Sequence, residues 1–284
     1  MLENTFCHIP RITLRTEEKL WSAGIHGWRA ARDLSTLPVP RVNKDALQRH
    51  LGDSMANLQL GNAHYFAELL PPGLHWRLFP EFRDRLAYLD IETTGLSPHW
   101  DKITTIALYD GQTIRYYVQG ENLSEFKKDI QAFDVLVTYN GKCFDVPFLR
   151  DHLKMRLNQV QIDLRYVLHS LGFSGGLKGC EKKLGMDRGE LDGVDGFMAV
   201  LLWGDFKNRQ NPGALETLLC YNIQDVLNLE TLLVMAYNRK LKETPFARVR
   251  KLPMPVAPKN PFQPDLEIVN RMKREFAWHY MYEV

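Results

Sequence analysis

The sequence predicts an α/β protein with a mixed sheet and a helical N-terminal extension. Three observations carry that expectation. The runs "RLAYLDIETT", "KITTIALYD" and "TIRYYVQG" are strand-like and follow one another closely, as in an antiparallel meander. Two further strand-like stretches, "DVLVTYN" and "VQIDLRYVL", then alternate with helical patterns, which is the signature of parallel strands with crossovers. From Ser174 onward the hydrophobic spacing is helical almost without relief.

Taken in order, residues 1–80 read as polar and helical. "TEEKLWSAGI" offers Thr16 as a cap with apolar Leu20, Trp21 and Ile25, "KDALQRHLG" and "NAHYFAELL" continue the pattern, and "PPG" breaks it. Within the meander, Asp110-Gly111 is a short-hairpin signal. "NLSEFKKDIQAF" has a helical pattern that Asn122 or Ser124 would cap, and "DVLVTYN" has the apolar density of a buried strand. "DVPFLRDHLKMRL" returns to helix, and "VQIDLRYVL" reads as a strand or a strand-to-helix passage. The helices "GLKGCEKKLG", "GFMAVLLWGDF" and "GALETLLCYNIQDVLNLETLLVMAYNRK" complete a main domain over 81–238. Residues 239–284 begin with a basic, proline-rich stretch expected to run extended over the surface. Their last part spaces Val269, Met272, Phe276 and Tyr280 at helical intervals, as a docking helix would.

Composition excludes several classes. With 284 residues, 45% hydrophobic and 25% charged, the chain is long enough for a full core and ordinary for a globular protein. Its formal charge of +2 neither demands nor forbids a nucleic-acid partner. Cys7, Cys143, Cys180 and Cys220 are far apart, so no zinc cluster or disulfide framework is expected and a reducing compartment is the simpler setting. "MLENTFCHIPRI" lacks the basic and apolar regions of a secretory signal, and "FMAVLLW" is far short of a membrane span. A cytoplasmic protein without membrane contact is the expectation.

The candidate chemistry lies in misplaced acids. In a strand over "YLDIETT" the side-chain period of two puts Asp90 and Glu92 on one face while Leu89 and Ile91 take the other. Adjacent like charges raise each other's pKa unless a cation offsets them, and a divalent metal is the usual offset. "VTYNGKCFDVPFL" adds Asp145, either as part of a site or as the cap of the helix starting near Val146. "LLCYNIQDVLNLETLL" puts Tyr221 and Asp225 four residues apart on one helix face, together with Leu218, Leu229 and Leu232. Asp225 on such a stripe needs a partner, whereas Tyr221 is either a site residue or a core tyrosine.

These three segments resemble the three exonuclease motifs of the DEDD superfamily, in the variant with a tyrosine in the third motif. Closer still is the resemblance to the bacterial YprB-like ribonuclease H-like proteins, through "DIETTGL", "YNGKCFDVP" and "YNIQD" over roughly residues 85–235. The resemblance implies a ribonuclease H-like three-layer domain with a mixed five-stranded sheet. It also implies two Mg²⁺ or Mn²⁺ ions, and all-oxygen ligands suit such hard cations. Asp90 would be shared between the ions, Glu92 and Asp225 would complete one site, and Asp145 would hold the second ion directly or through water. Tyr221 would orient the attacking water. The implied activity is 3′ to 5′ exonuclease cleavage of single strands, releasing 5′-mononucleotides from DNA or RNA with a 3′ end. Two other readings stay open: an endonuclease on structured nucleic acid or RNA-DNA hybrid, and a nucleic-acid-binding or assembly module with a residual site.

Smaller expectations attach to neighbouring residues. Thr93, Thr94, Gly95 and Leu96 match family positions that hold the terminal nucleotide, although Gly95 also suits a plain turn. Asn140 either contacts substrate or ties down its loop. Lys142 is a candidate phosphate contact, while Lys178, Lys182 and Lys183 suit a solvated helix face better than a phosphate. Asp163 is expected to be structural. "HIPRITLRTEEKLWSAGI" is similar to the opening of a helix-hairpin-helix, with Arg11 and Thr13 where the hairpin glycines would stand.

Overall fold

The computed structural model describes residues 1–32 and 44–282, with side chains over 1–31 and 45–275. Helix α1 (Leu14–Ser22) starts one turn earlier than "TEEK" suggests. Thr13 is the residue with extended φ and ψ, and its hydroxyl accepts from the Thr16 amide at 3.3 Å, so Thr16 lies inside the first turn. Arg11, at the first of the two hairpin glycine positions, adopts φ +71°. Helices α2 (Lys44–Gln59) and α3 (Ala63–Leu69) follow, the second capped by Asn62. A 3₁₀ segment, Pro72–Leu78, brings Arg77 onto Glu17 of α1 at 2.8 Å. The other Glu17 oxygen accepts from the amides of Phe6 and Cys7, so a buried charge pair is satisfied on both sides.

Strands β1 (Leu86–Thr93), β2 (Ile103–Tyr109) and β3 (Ile114–Val118) form the expected antiparallel meander. The β2–β3 turn is longer than a two-residue hairpin: Asp110 accepts from the amides of Gln112 and Thr113, and Gly111 takes φ +88°. Next comes α4 (Phe126–Asp129), a short α-helix between two 3₁₀ turns. Neither Asn122 nor Ser124 caps it. Asn122 instead binds the Val118 amide and the Tyr116 carbonyl and secures the end of β3. Then follow β4 (Val135–Thr138), α5 (Asp145–Leu153), β5 (Val160–Asp163), α6 (Leu164–His169), α7 (Gly176–Lys183), α8 (Gly196–Arg209), α9 (Pro212–Lys240) and α10 (Leu266–Tyr282).

The sheet order is β3-β2-β1-β4-β5, with β4 and β5 parallel to β1. One face, through Ala87, Leu89 and Ile91, packs on Phe126 of α4, Ile130 of the 3₁₀ turn after it, and Phe148 and Leu149 of α5. The other, through Leu86 and Tyr88, packs on α9 and on N-terminal residues including Leu2, Phe6 and Trp28. The result is a three-layer α/β domain of the ribonuclease H-like kind whose sheet core is continuous with the N-terminal residues. The proline-rich stretch runs without regular structure back along α9. Asn238 grips the Leu252 backbone at both N–H and C=O, and Asn260 donates to the Cys220 carbonyl. In α10, Val269 and Met272 are buried, while the Phe276 and Tyr280 side chains fall outside the described residues. No helix among the described residues is long and apolar enough to cross a membrane.

Candidate metal centre

Strand alternation sets the first half of the site. Tyr88 faces α9, so Asp90 and Glu92 face α9 too, and the register with β2 shifts by one residue after Glu92, where Thr93 pairs with Ile103. The long α9 supplies the second half, since Tyr221, Asn222 and Asp225 come round on the side that meets β1 and β2. Carboxylate oxygens of Asp90, Glu92 and Asp225 all lie within 4.8 Å of one another. Glu92 and Asp225 are buried, while Asp90 is only partly covered.

Such a convergence of acids is electrostatically uphill without a cation. Burial pushes the Asp90 carboxyl up to about 7, against the opposing pull of Asn222, Arg188 and Lys178. Burial first and the Asp90 charge second hold Glu92 well above the usual carboxylate range. Asp145 opens α5 and is buried, but it does not cap the helix, because Phe144 occupies the cap position. It stands apart from the three converging acids. Burial and then the Asp90 charge raise its pKa, so it still feels the same field.

Polar neighbours hold the acids in place. Thr105 of β2 donates to Asn222 Oδ1 at 3.0 Å, and Asn222 Nδ2 donates to Asp90 Oδ2 at 2.7 Å. The Arg188 guanidinium forks between Asp225 and Glu181, reaching Glu181 Oε2 at 3.2 Å, and Glu181 also accepts from Asn228 at 2.8 Å. Lys178 Nζ donates to the Tyr221 hydroxyl at 2.7 Å and lies 4.5 Å from that ring's centroid. Lys178 is therefore not on a solvated helix face, as its charge and spacing suggested. α7 turns it inward, and burial brings its pKa down to about 8. Lys182 and Lys183 do lie on the exposed side. The Tyr221 ring is buried with Leu218, Met198 and Trp203, as a core tyrosine would be, and its hydroxyl meets a lysine.

Arg188, Asn222, Glu181 and Asn228 received no role from the sequence. Asn222 sits inside "YNIQD", so it was within reach of the motif. The other three are linked by pairings across 7, 37 and 47 positions, and no local pattern announces them.

The remaining candidates have these places. Thr93 is buried and its hydroxyl donates to the Gly95 carbonyl at 2.5 Å. Thr94 bonds Asp101, whose carboxylate also accepts from the Ser97 amide and fills the space that a Cβ at Gly95 would need. Leu96 is 84% exposed in the same loop, and Trp100 beside it is 87% exposed. Asn140, at φ +66°, accepts from Arg165 Nη1 at 2.5 Å, and its amide donates to Asp163. The side chain of Asn140 thus ties down its loop. Asp163 also takes the amides of Lys142 and Arg165, a structural role as expected. The Lys142 side chain lines a cavity of about 270 Å³ with His75, Gln161 and Tyr166.

Comparison with known proteins places this architecture. Residues 87–237 match the family model RNase_H_2, described as RNase_H superfamily. The uncharacterized protein YprB of Bacillus subtilis (strain 168) is 28% identical over 185 residues, which cover 57% of this chain and 44% of that protein. The chain thus spans less than half the length of that relative. Among solved structures, the family B DNA polymerase of the archaeon Pyrobaculum calidifontis superposes with a TM-score of 0.43 at 17% identity, over 59% of this chain and 27% of the polymerase. Brucella melitensis NrnC bound to pGG gives 0.40 at 18% identity, over 58% and 77%.

Proposed function

The chain belongs to the ribonuclease H superfamily, and from that premise we propose that it is a metal-dependent 3′ to 5′ exonuclease acting on single strands of DNA or RNA. The observation that carries this reading is the convergence of Asp90, Glu92 and Asp225, with the Tyr221 phenol within reach of the Glu92 and Asp90 charges. The donor set fits Mg²⁺ or Mn²⁺, because it is all oxygen, with neither histidine nor cysteine in the group. Burial makes the ionised acids costly, so a bound cation would relieve what Asn222, Arg188 and Lys178 offset only in part. Asp90, Glu92 and Asp225 would hold one ion, and Asp90 with Asp145, directly or through water, a second. Bound there, the ions would lower the pKa of a water and neutralise charge on the scissile phosphate.

The protein's own groups do the rest. Asn222 keeps the Asp90 carboxylate turned toward the cluster, and Arg188 does the same for Asp225. Tyr221 holds the attacking water by a hydrogen bond, since burial keeps its phenol well above its ordinary pKa and thus protonated. The water oxygen bonds to phosphorus and the bond to the 3′ oxygen breaks. One water is consumed, its hydroxyl retained on the released 5′-phosphate and its second hydrogen completing the new 3′ hydroxyl. Exposed Leu96 and Trp100, in the loop that leaves the acid strand, suit an unpaired terminal base, which stacks on any aromatic face.

End specificity decides between this reading and its rivals. With Mn²⁺ a 5′-labelled single strand shortens stepwise from its 3′ end, and a covalently closed circle of the same composition survives. Rapid cutting of the circle would make the protein an endonuclease. Tight binding with no cleavage of either would make it a binding module.

A further inference from the structure

We propose that Lys178 is a positioning residue for hydrolysis that acts through the phenol of Tyr221, an inference that rests on the nuclease reading above. An ammonium group has donors and no acceptor, so in the 2.7 Å contact the Tyr221 oxygen must accept. The phenol's own proton is then turned away from Lys178. The acids whose charge bears most on the phenol are Glu92 and then Asp90, so the cluster lies within electrostatic reach of the hydroxyl and offers its free proton a direction away from Lys178. A hydroxyl that accepts from a cation becomes a stronger donor on its other side, as hydrogen-bonded chains polarise one another. The attacking water is the group that receives this bond.

The surrounding fold serves the same contact. Gly175 and Gly176, at φ +106° and +74°, make the sharp entry into α7 that side chains would resist, and two residues later Lys178 lies across the Tyr221 ring. The second cation against that ring, Arg188 at 5.5 Å, is committed to Glu181 and Asp225 and does not compete for the hydroxyl. Lys178 and Tyr221 therefore form a relay of direction rather than of protons. Neither changes its protonation state as the phosphodiester is cleaved.

A double-mutant cycle with Lys178→Met and Tyr221→Phe tests the relay. Tyr221→Phe lowers kcat about 100-fold, the scale of a positioned catalytic group. Lys178→Met lowers kcat at least roughly 10-fold with KM nearly constant, and the double variant is no slower than Tyr221→Phe alone. Lys178→Arg, which keeps a cationic donor, recovers part of the loss. In metal-free protein labelled with [¹³Cζ]tyrosine, Lys178→Met shifts the one resonance that disappears in Tyr221→Phe. Losses that multiply in the double variant would overturn the relay, because Lys178 would then act independently of the phenol. A rise in KM at constant kcat, full activity of Lys178→Met, or an unmoved tyrosine resonance would overturn it as well. A wild-type protein that cleaves nothing would overturn the nuclease reading first and this inference with it.

Discussion

Replacing Arg188 by methionine keeps much of the side chain's length and removes the charge and the hydrogen-bond donors that join two buried acids. The Arg188 side chain is 5% exposed, and those of its partners Glu181 and Asp225 are 1% and 6% exposed. At the 3.2 Å separation from Glu181, a unit-charge pair attracts by about 5 kcal/mol at an effective dielectric of about 20, most of it cancelled by the cost of desolvation. Removing one partner restores that cost without its compensation, and such losses run at about 3–5 kcal/mol. Glu181 keeps its bond from Asn228 at 2.8 Å, which favours the lower half of the range. Each kcal/mol moves Tm by roughly 2–4 °C in a chain of this size, so the variant melts about 6–15 °C lower. Circular dichroism melts in EDTA measure this directly. Adding Asp225→Asn to Arg188→Met raises Tm again, since one orphaned charge disappears. Mn²⁺ likewise stabilises the single variant more than it stabilises the wild type. A Tm within about 2 °C of wild type in EDTA would refute the reasoning, because both acids would then have found hydration that the structure denies them.

Three further outcomes are expected. Titration calorimetry with Mn²⁺ shows fewer or weaker sites in Asp90→Ala and in Asp225→Ala, and unchanged heats in both would remove the acids from metal binding. In metal-free protein, Asp90 titrates near 7 rather than its ordinary 3.8, so its protonated form is favoured by folding. Its contribution to stability is complete below about pH 4 and is lost as pH rises to about 7, and Asp90→Asn flattens urea-unfolding midpoints across that window. His8 behaves oppositely: burial, then the charges of His50 and Arg77, take its pKa down to about 3 while its Nε2 shares a 2.8 Å bond with Ser54. Its contribution is therefore present above about pH 6.5 and lost as pH falls toward 3, and His8→Leu shows a shallower acid slope over that range.

Much of the frame is legible in the order of residues alone, because it follows from local periodicity. The alternation in "YLDIET" places Asp90 and Glu92 on one face, and the four-residue step in "YNIQD" places Tyr221 and Asp225 on one side of a helix. The five strands are likewise visible as short apolar runs between turn signals. Departures at this level are also local, as with Thr16, which yields the cap to Thr13 because backbone conformation, not residue type alone, selects the capping hydroxyl. Strand and helix periods say which way a side chain points, but nothing of what arrives opposite it. That Arg188 clamps Asp225, that Asn222 bridges Thr105 to Asp90, and that Lys178 leaves the solvent for the Tyr221 phenol are decided only when α7 and the segment after it fold back onto α9. Residue type and spacing are encoded along the chain, whereas the compensation of buried charge is a property of three-dimensional neighbours, and in this protein those neighbours come from elements tens of residues apart.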